Sequence, residues 1–146
     1  MADNAEFVRG LIEAWNRRDF DYIRDRTAPD SLLTDAGSGE TWRGQEGGHR
    51  YNTMWANAFP DGKITIDRVI PAGDLVVVEY TGQGTHTGPM VTSQGTIPAT
   101  GRSARLHFCD VYEVKDGKVQ KQTTYGDSGA LMVQLGLTAG QPAATQ

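Results

Sequence analysis

The sequence predicts a single α+β domain in which helices cover the concave face of a curved, cone-shaped β-sheet. Before Pro60 the apolar residues recur mostly at helical spacing, and from Lys63 onward they alternate as in strands. Segregation of helices and strands along a chain is typical of α+β folds. A cone of this kind has an open end, and we expect a small ligand to bind there.

Three helices are predicted before the sheet. The first covers 3–17, begins at the capping-box pair Asp3 and Glu6, and carries an apolar stripe every four residues. A short second helix begins at Phe20 and ends near Thr27-Ala28-Pro29, because proline disfavours helical geometry in the preceding residue. The third covers 45–59. The stripe of the first helix consists of Phe7, Leu11 and Trp15.

The predicted strands follow the turn signals. A short strand covers 31–36 between the second and third helices, and the later strands are placed at 63–69, 74–87, 102–114 and 118–125. Residues 88–101 are predicted to be a loop, because they contain several prolines and glycines. A last short helix is capped by Asp127 or Ser128 and ends at Gly136. The domain therefore covers 1–137, and 138–146 are expected to form a disordered tail.

Composition excludes several classes of function. The chain has 146 residues and a net charge of −4, which argues against nucleic acid or an anionic membrane as the main partner. The longest apolar run, 75–78, is too short to cross a bilayer, and the start lacks a signal-peptide pattern, so a cytoplasmic protein is expected. One cysteine and three scattered histidines show no metal-ligand spacing, and no phosphate-binding glycine motif is present. We therefore expect neither a metal nor a cofactor.

The chain resembles the nuclear transport factor 2-like fold and, within it, the SnoaL-like polyketide cyclases. The resemblance implies a cone-shaped domain and a hydrophobic, carbonyl-containing substrate. Two positions depart from the cyclase pattern: Thr124 stands where the catalytic aspartate is expected, and Asp110 stands where a histidine is expected. The matching segments, in order, are Ala14-Trp15-Asn16, Ala28-Pro29-Asp30, Phe59-Pro60-Asp61, Ala72-Gly73-Asp74, Gly84-Thr85-His86-Thr87-Gly88, Pro98-Ala99-Thr100-Gly101, Asp116-Gly117-Lys118 and Gln134-Leu135-Gly136.

The two best candidate catalytic residues are aspartates. The sequence is also similar to ketosteroid isomerases, and that resemblance implies Asp35 as a base and Asp110 as a protonated donor to an oxyanion. Leu11 stands where the isomerases carry a tyrosine donor. The alternative for Asp35 is a turn aspartate that binds its own backbone before Gly37.

Asp110 is also conspicuous without any resemblance. The strand period places it on one face with Leu106, Phe108 and Tyr112, where a charged carboxylate costs several kcal/mol. Desolvation raises the pKa of such a group, so that it acts as an acid or a neutral donor. The alternative is that Asp110 points outward or pairs with an arginine of its own strand (Arg102 or Arg105).

Aromatic and polar residues of the predicted cone are candidates for substrate binding. The plain alternative is that most of the aromatics are core and that His86 is a structural histidine. Trp42 and Tyr125 are favoured for the pocket, because each lies just outside a periodic segment. The candidate set is Trp15, Trp42, Trp55, Phe59, His86, Phe108, Tyr112, Thr124 and Tyr125.

These features predict a cofactor-independent cyclase or isomerase that uses aspartate acid–base catalysis. One alternative is a water-adding enzyme, either an epoxide hydrolase or a hydroxylation component, with an arginine supplied by Arg43, Arg102 or Arg105. The other is a non-catalytic ligand-binding or assembly domain. The resemblance also implies a homodimer through the outer face of the sheet. That face would carry Leu75, Val77, His107, Cys109 and Val111.

Overall fold

The computed structural model describes residues 3–137 and confirms the α+β architecture. Helices pack on a mixed six-stranded sheet of order β2-β1-β8-β7-β4-β3, and a separate two-stranded hairpin is formed by β5 and β6. The helices are α1 (Asn4–Asn16), α2 (Phe20–Asp25), α3 (Gly44–Ala58) and α4 (Ser128–Gln134). The strands are β1 (Thr27–Asp35), β2 (Thr41–Arg43), β3 (Lys63–Ala72), β4 (Leu75–Thr85), β5 (Met90–Thr92), β6 (Gly95–Ile97), β7 (Ser103–Lys115) and β8 (Lys118–Tyr125).

The long strands β4 and β7 form the centre of the sheet. They pair antiparallel from Leu75 opposite Glu113 to Thr85 opposite Ser103. The sheet is mixed because β1 runs parallel to β8, which joins the first strand in the chain to the last. Register shifts in the β3–β4 and β7–β8 pairs add local bends, which contribute to the curvature of the sheet.

Helix α1 closes the concave face. The carboxylate of Asp3 accepts from the N–H groups of Ala5 and Glu6, so the predicted cap forms. The buried side of α1 packs on the inward side chains of β4 and β7 in one apolar core. That core includes Val8, Leu11, Ile12, Val76, Val78 and Val114.

The structure differs from the predicted elements in three places. Residues 27–30 begin β1 rather than end a helix, and the pairing with β8 is interrupted between Thr27 and Leu32, where Pro29 has no N–H to donate. The short strand β2 was not predicted. The segment 88–101 contains the β5–β6 hairpin, whose turn is held by the Thr92 hydroxyl donating to the Gly95 carbonyl.

The predicted tail, 138–146, lies outside the described residues. None of the helices between residues 3 and 137 is long and apolar enough to cross a membrane.

Candidate active site

An apolar cavity lies between the helices and the concave face of the sheet. It measures about 960 Å³, including the solvent at its mouth, and residues from α1, α3, β4, β7 and β8 line it. Most of the wall is aliphatic or aromatic, as is usual for sites that bind small organic molecules. The geometry therefore provides the ligand space that the sequence predicts.

Arg18 holds one end of this cavity. Its guanidinium donates to the carbonyl oxygens of Pro60 and Gly62, each at 2.8 Å, and lies 4.4 Å from the centre of the Trp15 ring. Trp15 and Gly62 line the cavity together with the exposed Lys63, so this end reaches solvent. Arg18 thus joins the end of α1 to the turn before β3 at the open end.

Asp110 lies in the cavity wall and is only 2% exposed. Its Oδ2 accepts from the Tyr80 hydroxyl at 3.1 Å and from Gln122 Nε2 at 3.0 Å. Its Oδ1 is buried and has no hydrogen-bond partner among residues 3–137. The alternative arrangements do not occur, because Asp110 points inward and pairs with neither Arg102 nor Arg105.

Burial raises the pKa of Asp110 to about 6. The cause is desolvation, which disfavours the carboxylate, and the negative charge of Asp35 acts in the same direction. Polar groups of Thr124, Gln122 and Tyr80 oppose the shift, because they favour the charged form. A carboxyl group with a pKa near neutrality can both accept and return a proton, as acid–base catalysis requires.

Three buried tyrosines surround Asp110. Burial and the Asp110 charge raise the pKa values of Tyr51, Tyr80 and Tyr112. Their hydroxyl groups therefore stay protonated at neutral pH. Gln122 connects two members of the group, because its Nε2 also donates to Tyr112 Oη at 3.2 Å.

Five of the predicted binding residues line the cavity. The ring of Trp55 stacks on Phe59 and meets Phe108 edge-on, each with centroids 6.0 Å apart. Phe108 in turn stacks on Tyr80 at 5.1 Å. The five are Trp15, Trp55, Phe59, Phe108 and Tyr112.

Four predicted binding residues do not line the cavity. Trp42 packs edge-on against Tyr51 outside the cavity wall, and Tyr125 is 51% exposed, so the preference for these two was wrong. Thr124 is buried opposite Asp110, where its polar group acts on the carboxyl group, but it is not part of the cavity wall. His86 lies behind Phe59.

His86 is a structural histidine, which was the alternative to a role in substrate binding. Its Nδ1 accepts from the Thr100 N–H at 3.3 Å and lies 3.0 Å from the Thr100 hydroxyl. Its backbone N–H donates to Arg102 and its carbonyl accepts from Gly101. The side chain is fully buried, and burial lowers its pKa. His86 therefore ties the segment 88–101 to the end of β4.

Asp35 is a turn aspartate, which was the alternative to a role as the catalytic base. Its Oδ1 accepts from the Gly37 N–H at 3.0 Å, which is the turn contact described above, and the residue is absent from the cavity wall. Its position in the sheet still relates it to the site: Asp35 pairs with Thr124 on β8, and Thr124 pairs with Asp110 on β7. Asp35 thus lies two strands from Asp110, where its charge influences the site without reaching the ligand space.

Three of the polar cavity residues that the predicted set lacked lie close to Asp110. Tyr51, Tyr80 and Gln122 all line the wall. The strand period was a usable signal for two of them, since Tyr80 shares a face with Val76 and Val78, and Gln122 shares one with Thr124. Tyr51 lies on the apolar side of α3, where the sequence does not separate a pocket residue from core.

The arginines considered for a water-adding site lie elsewhere. None of Arg43, Arg102 and Arg105 lines the cavity, whose only basic lining residue among the described part of the chain is Lys63. Within residues 3–137 no three histidine, cysteine or carboxylate side chains are grouped as a metal site requires.

Comparison with solved structures finds the same architecture. IdmH from Streptomyces antibioticus, a proposed polyketide cyclase, is 27% identical with a TM-score of 0.76, over 92% of this chain and 99% of that one. A Catenulispora acidiphila protein with a ketosteroid isomerase-like fold is 18% identical with a TM-score of 0.75, over 97% of each chain. An LEH-like epoxide hydrolase from M. tuberculosis is 19% identical with a TM-score of 0.68, over 90% and 87%. No match was found among curated proteins.

The sequence comparison gives the family. The model of the SnoaL-like polyketide cyclase family matches residues 5–135, which is nearly the whole chain and includes every strand and helix described above except the first residue of α1. The structural neighbours share the ketosteroid isomerase-like fold that the resemblance implies. The chain belongs to the SnoaL-like polyketide cyclase family.

Proposed function

We propose that this protein is a cofactor-independent enzyme that moves a proton next to a carbonyl group of a hydrophobic small molecule, with Asp110 as the proton-transfer residue. One observation carries the proposal: the carboxyl group of Asp110 is buried in the wall of an apolar cavity, with a pKa raised to about 6. Membership of the SnoaL-like family supports a polyketide-like substrate.

The proposed reaction balances without an external reagent. The Asp110 carboxylate accepts a proton from the carbon next to a carbonyl, and the electron pair of that C–H bond forms an enolate. The enolate carbon then attacks a second carbonyl of the same molecule, so a C–C bond forms and the second oxygen becomes an alkoxide. Protonated Asp110 returns its proton to that alkoxide, and the product is an isomer of the substrate.

This assignment replaces the predicted division of labour between two aspartates. Asp35 was expected to be the base and Asp110 a donor, but Asp35 is engaged in its turn and does not line the cavity. Oδ2 of Asp110 already accepts two hydrogen bonds, so the mobile proton belongs on Oδ1. The apolar wall excludes water from the enolate, and electrostatic stabilisation is strong in such a site.

The test compares two isosteric substitutions. Asp110→Asn removes the proton acceptor and keeps the hydrogen-bonding shape, so we expect at least a 100-fold loss of turnover on a panel of aryl polyketides with several carbonyl groups. Asp35→Asn is the matched control, because asparagine can still accept from the Gly37 N–H, and we expect activity within a few-fold of wild type.

Because the cyclised product has the same mass as the substrate, it is separated from the substrate by liquid chromatography and then quantified, and deuterium uptake next to the carbonyl in heavy water is followed by mass spectrometry. Full activity of Asp110→Asn with an intact fold contradicts the proposal. Binding of the panel, seen by tryptophan fluorescence, with no conversion and no deuterium uptake favours a non-catalytic binding domain instead.

A further inference from the structure

The amide of Gln122 contacts two oxygen atoms of the cavity. Its Nε2 lies 3.0 Å from Asp110 Oδ2 and 3.2 Å from Tyr112 Oη. An amide nitrogen has two hydrogens and can serve both contacts, whereas the amide oxygen would face the carboxylate unfavourably. Gln122 therefore donates to the carboxyl group and to the phenol at the same time.

This arrangement leaves the hydroxyl proton of Tyr112 available for a hydrogen bond to a bound ligand. Because Tyr112 Oη accepts from Gln122, its own O–H points elsewhere, and it has no acceptor among residues 3–137. The Tyr80 hydroxyl differs, since it is already directed at Asp110 Oδ2. Tyr112 lines the cavity, and its raised pKa keeps the hydroxyl protonated.

The distance between the Asp110 carboxyl group and the Tyr112 hydroxyl group suits a carbonyl compound that can form an enolate. Asp110 and Tyr112 are two residues apart on β7, so their side chains share a face of the sheet. Tyr112 Oη and Asp110 Oδ2 both lie within hydrogen-bond distance of Gln122 Nε2, so these two oxygens are no more than roughly 6 Å apart. Oδ1, the atom assigned the mobile proton, is bonded to the same carbon as Oδ2. A carbonyl oxygen and the hydrogen on its neighbouring carbon can therefore reach a donor and a base placed in this way.

We propose that Tyr112 is a catalytic residue that donates its hydroxyl proton in a hydrogen bond to the developing enolate oxygen, and that Gln122 is the positioning residue that holds Tyr112 and Asp110 in register. The inference rests on the proposed function and deepens it, because it requires the substrate carbonyl to point along β7 toward Tyr112. Donors aimed at the charge that develops in a transition state contribute strongly to catalysis.

The first test removes one oxygen atom. Tyr112→Phe keeps the ring in the wall and deletes the donor, so we expect kcat to fall roughly 100-fold or more while KM changes little. Tyr125→Phe is the matched control, because that hydroxyl lies outside the cavity on the neighbouring strand, and we expect unchanged kinetics.

A binding test separates this inference from the reaction itself. The probes are 2-naphthol, whose hydroxyl oxygen can accept a hydrogen bond as an enolate oxygen does, and naphthalene, which has no oxygen; equilibrium dialysis measures both affinities. We expect Tyr112→Phe to weaken 2-naphthol binding by roughly tenfold and to leave naphthalene binding unchanged. Equal loss of both affinities, or of neither, overturns the role of Tyr112, and this result needs no turnover.

The role of Gln122 is tested separately, by the dependence of kcat on pH. Loss of its N–H donors in Gln122→Leu raises the pKa of Asp110, because that hydrogen bond favours the carboxylate. We therefore expect the rise of kcat with pH to move to higher pH, beside a fall in the maximum kcat. An unmoved pH profile contradicts the positioning role. If Asp110→Asn is inactive and Tyr112→Phe is fully active, this inference fails while the proposed function stands.

Discussion

Asp110 costs the protein stability whenever it is charged. The residue is 2% exposed, and an Asp side chain in water has a pKa of 3.8, against about 6 in the folded protein. The folded state thus binds a proton more tightly than the unfolded chain, so stability falls as pH rises from about 4 to about 6. Such a cost is common where a site is built for chemistry rather than for packing.

This cost predicts a stability gain for Asp110→Asn that depends on pH. At pH 8 the wild-type protein carries the full penalty, about 3 kcal/mol for a shift of this size, and the neutral amide does not. At pH 4 the wild-type carboxyl group is protonated when folded, and the difference shrinks toward zero.

Urea unfolding of both proteins at pH 4 and pH 8 measures the effect. The pH-independent consequences of the substitution cancel in the comparison of the two pH values. A difference in unfolding free energy that is the same at both would show that the Asp110 pKa is not raised.

At the residue scale, the two aspartates differ in how far the sequence predicts their positions: Asp110 lies in the cavity wall as expected, whereas Asp35 does not. The period of β7 alone puts Asp110 on an apolar face, because alternation is a local property of the strand. The contribution of Asp35 depends on the turn after β1 and on the pairing of β1 with β8, which joins segments about 90 residues apart. Local spacing does not contain that information.

At the element scale, helix α3 and the segment after β4 approach each other closely. The Gly88 N–H donates to the Ala58 carbonyl at 3.2 Å, and a Cβ atom at Gly88 would overlap the carbonyl oxygen of Asn57. Gly48, on α3 itself, has open space where its Cβ would be. One glycine is thus required by packing, while the other only weakens its helix.

Substitution by alanine is expected to have opposite effects on stability at Gly88 and at Gly48. Gly88→Ala forces the end of α3 away from the segment that His86 anchors, and we expect a loss of about 1–3 kcal/mol, typical of overpacking. Gly48→Ala is expected to gain up to about 1 kcal/mol, because alanine favours helix. Urea unfolding of both variants checks the contrast, and a stable Gly88→Ala protein would contradict the close approach.

The elements themselves were predictable where one period extends over many residues. Helices α1 and α3 and strands β4, β7 and β8 lie close to their predicted positions. The β5–β6 hairpin was not foreseen, since prolines and glycines around it favour a loop. Strand β2 has only three residues, too few to show a period, and it exists because it pairs with β1.

At the scale of the whole molecule, the outer face of the sheet carries apolar side chains that are partly exposed. Leu75 is 43% exposed there, and Val77 and Val111, paired in register, are half-buried. Beside them Thr81 donates to Asp67 and lies 3.1 Å from His107 Nδ1. We propose a homodimer through this face, with an apolar centre and a polar rim.

Sedimentation at micromolar concentration tests the dimer. The chain has a mass of 15.9 kDa, and we expect a species of twice that mass. Val77→Glu should give the monomer, because it puts a charge in the centre of the proposed interface, whereas Val91→Glu, on the exposed β5–β6 hairpin, should not. A wild-type protein that sediments only as a monomer rules the dimer out.

The sequence by itself determined the α+β class, the long elements and the place of Asp110 on the same strand face as Leu106, Phe108 and Tyr112, because each follows from residue periodicity. Only the tertiary structure decided what surrounds that carboxylate. Gln122 reaches Asp110 and Tyr112 because β8 pairs beside β7, while the turn after β1 removes Asp35 from the cavity. Strand pairing and side-chain direction across the sheet are set by packing between segments that are distant in sequence. Local sequence patterns therefore do not show which polar groups surround Asp110.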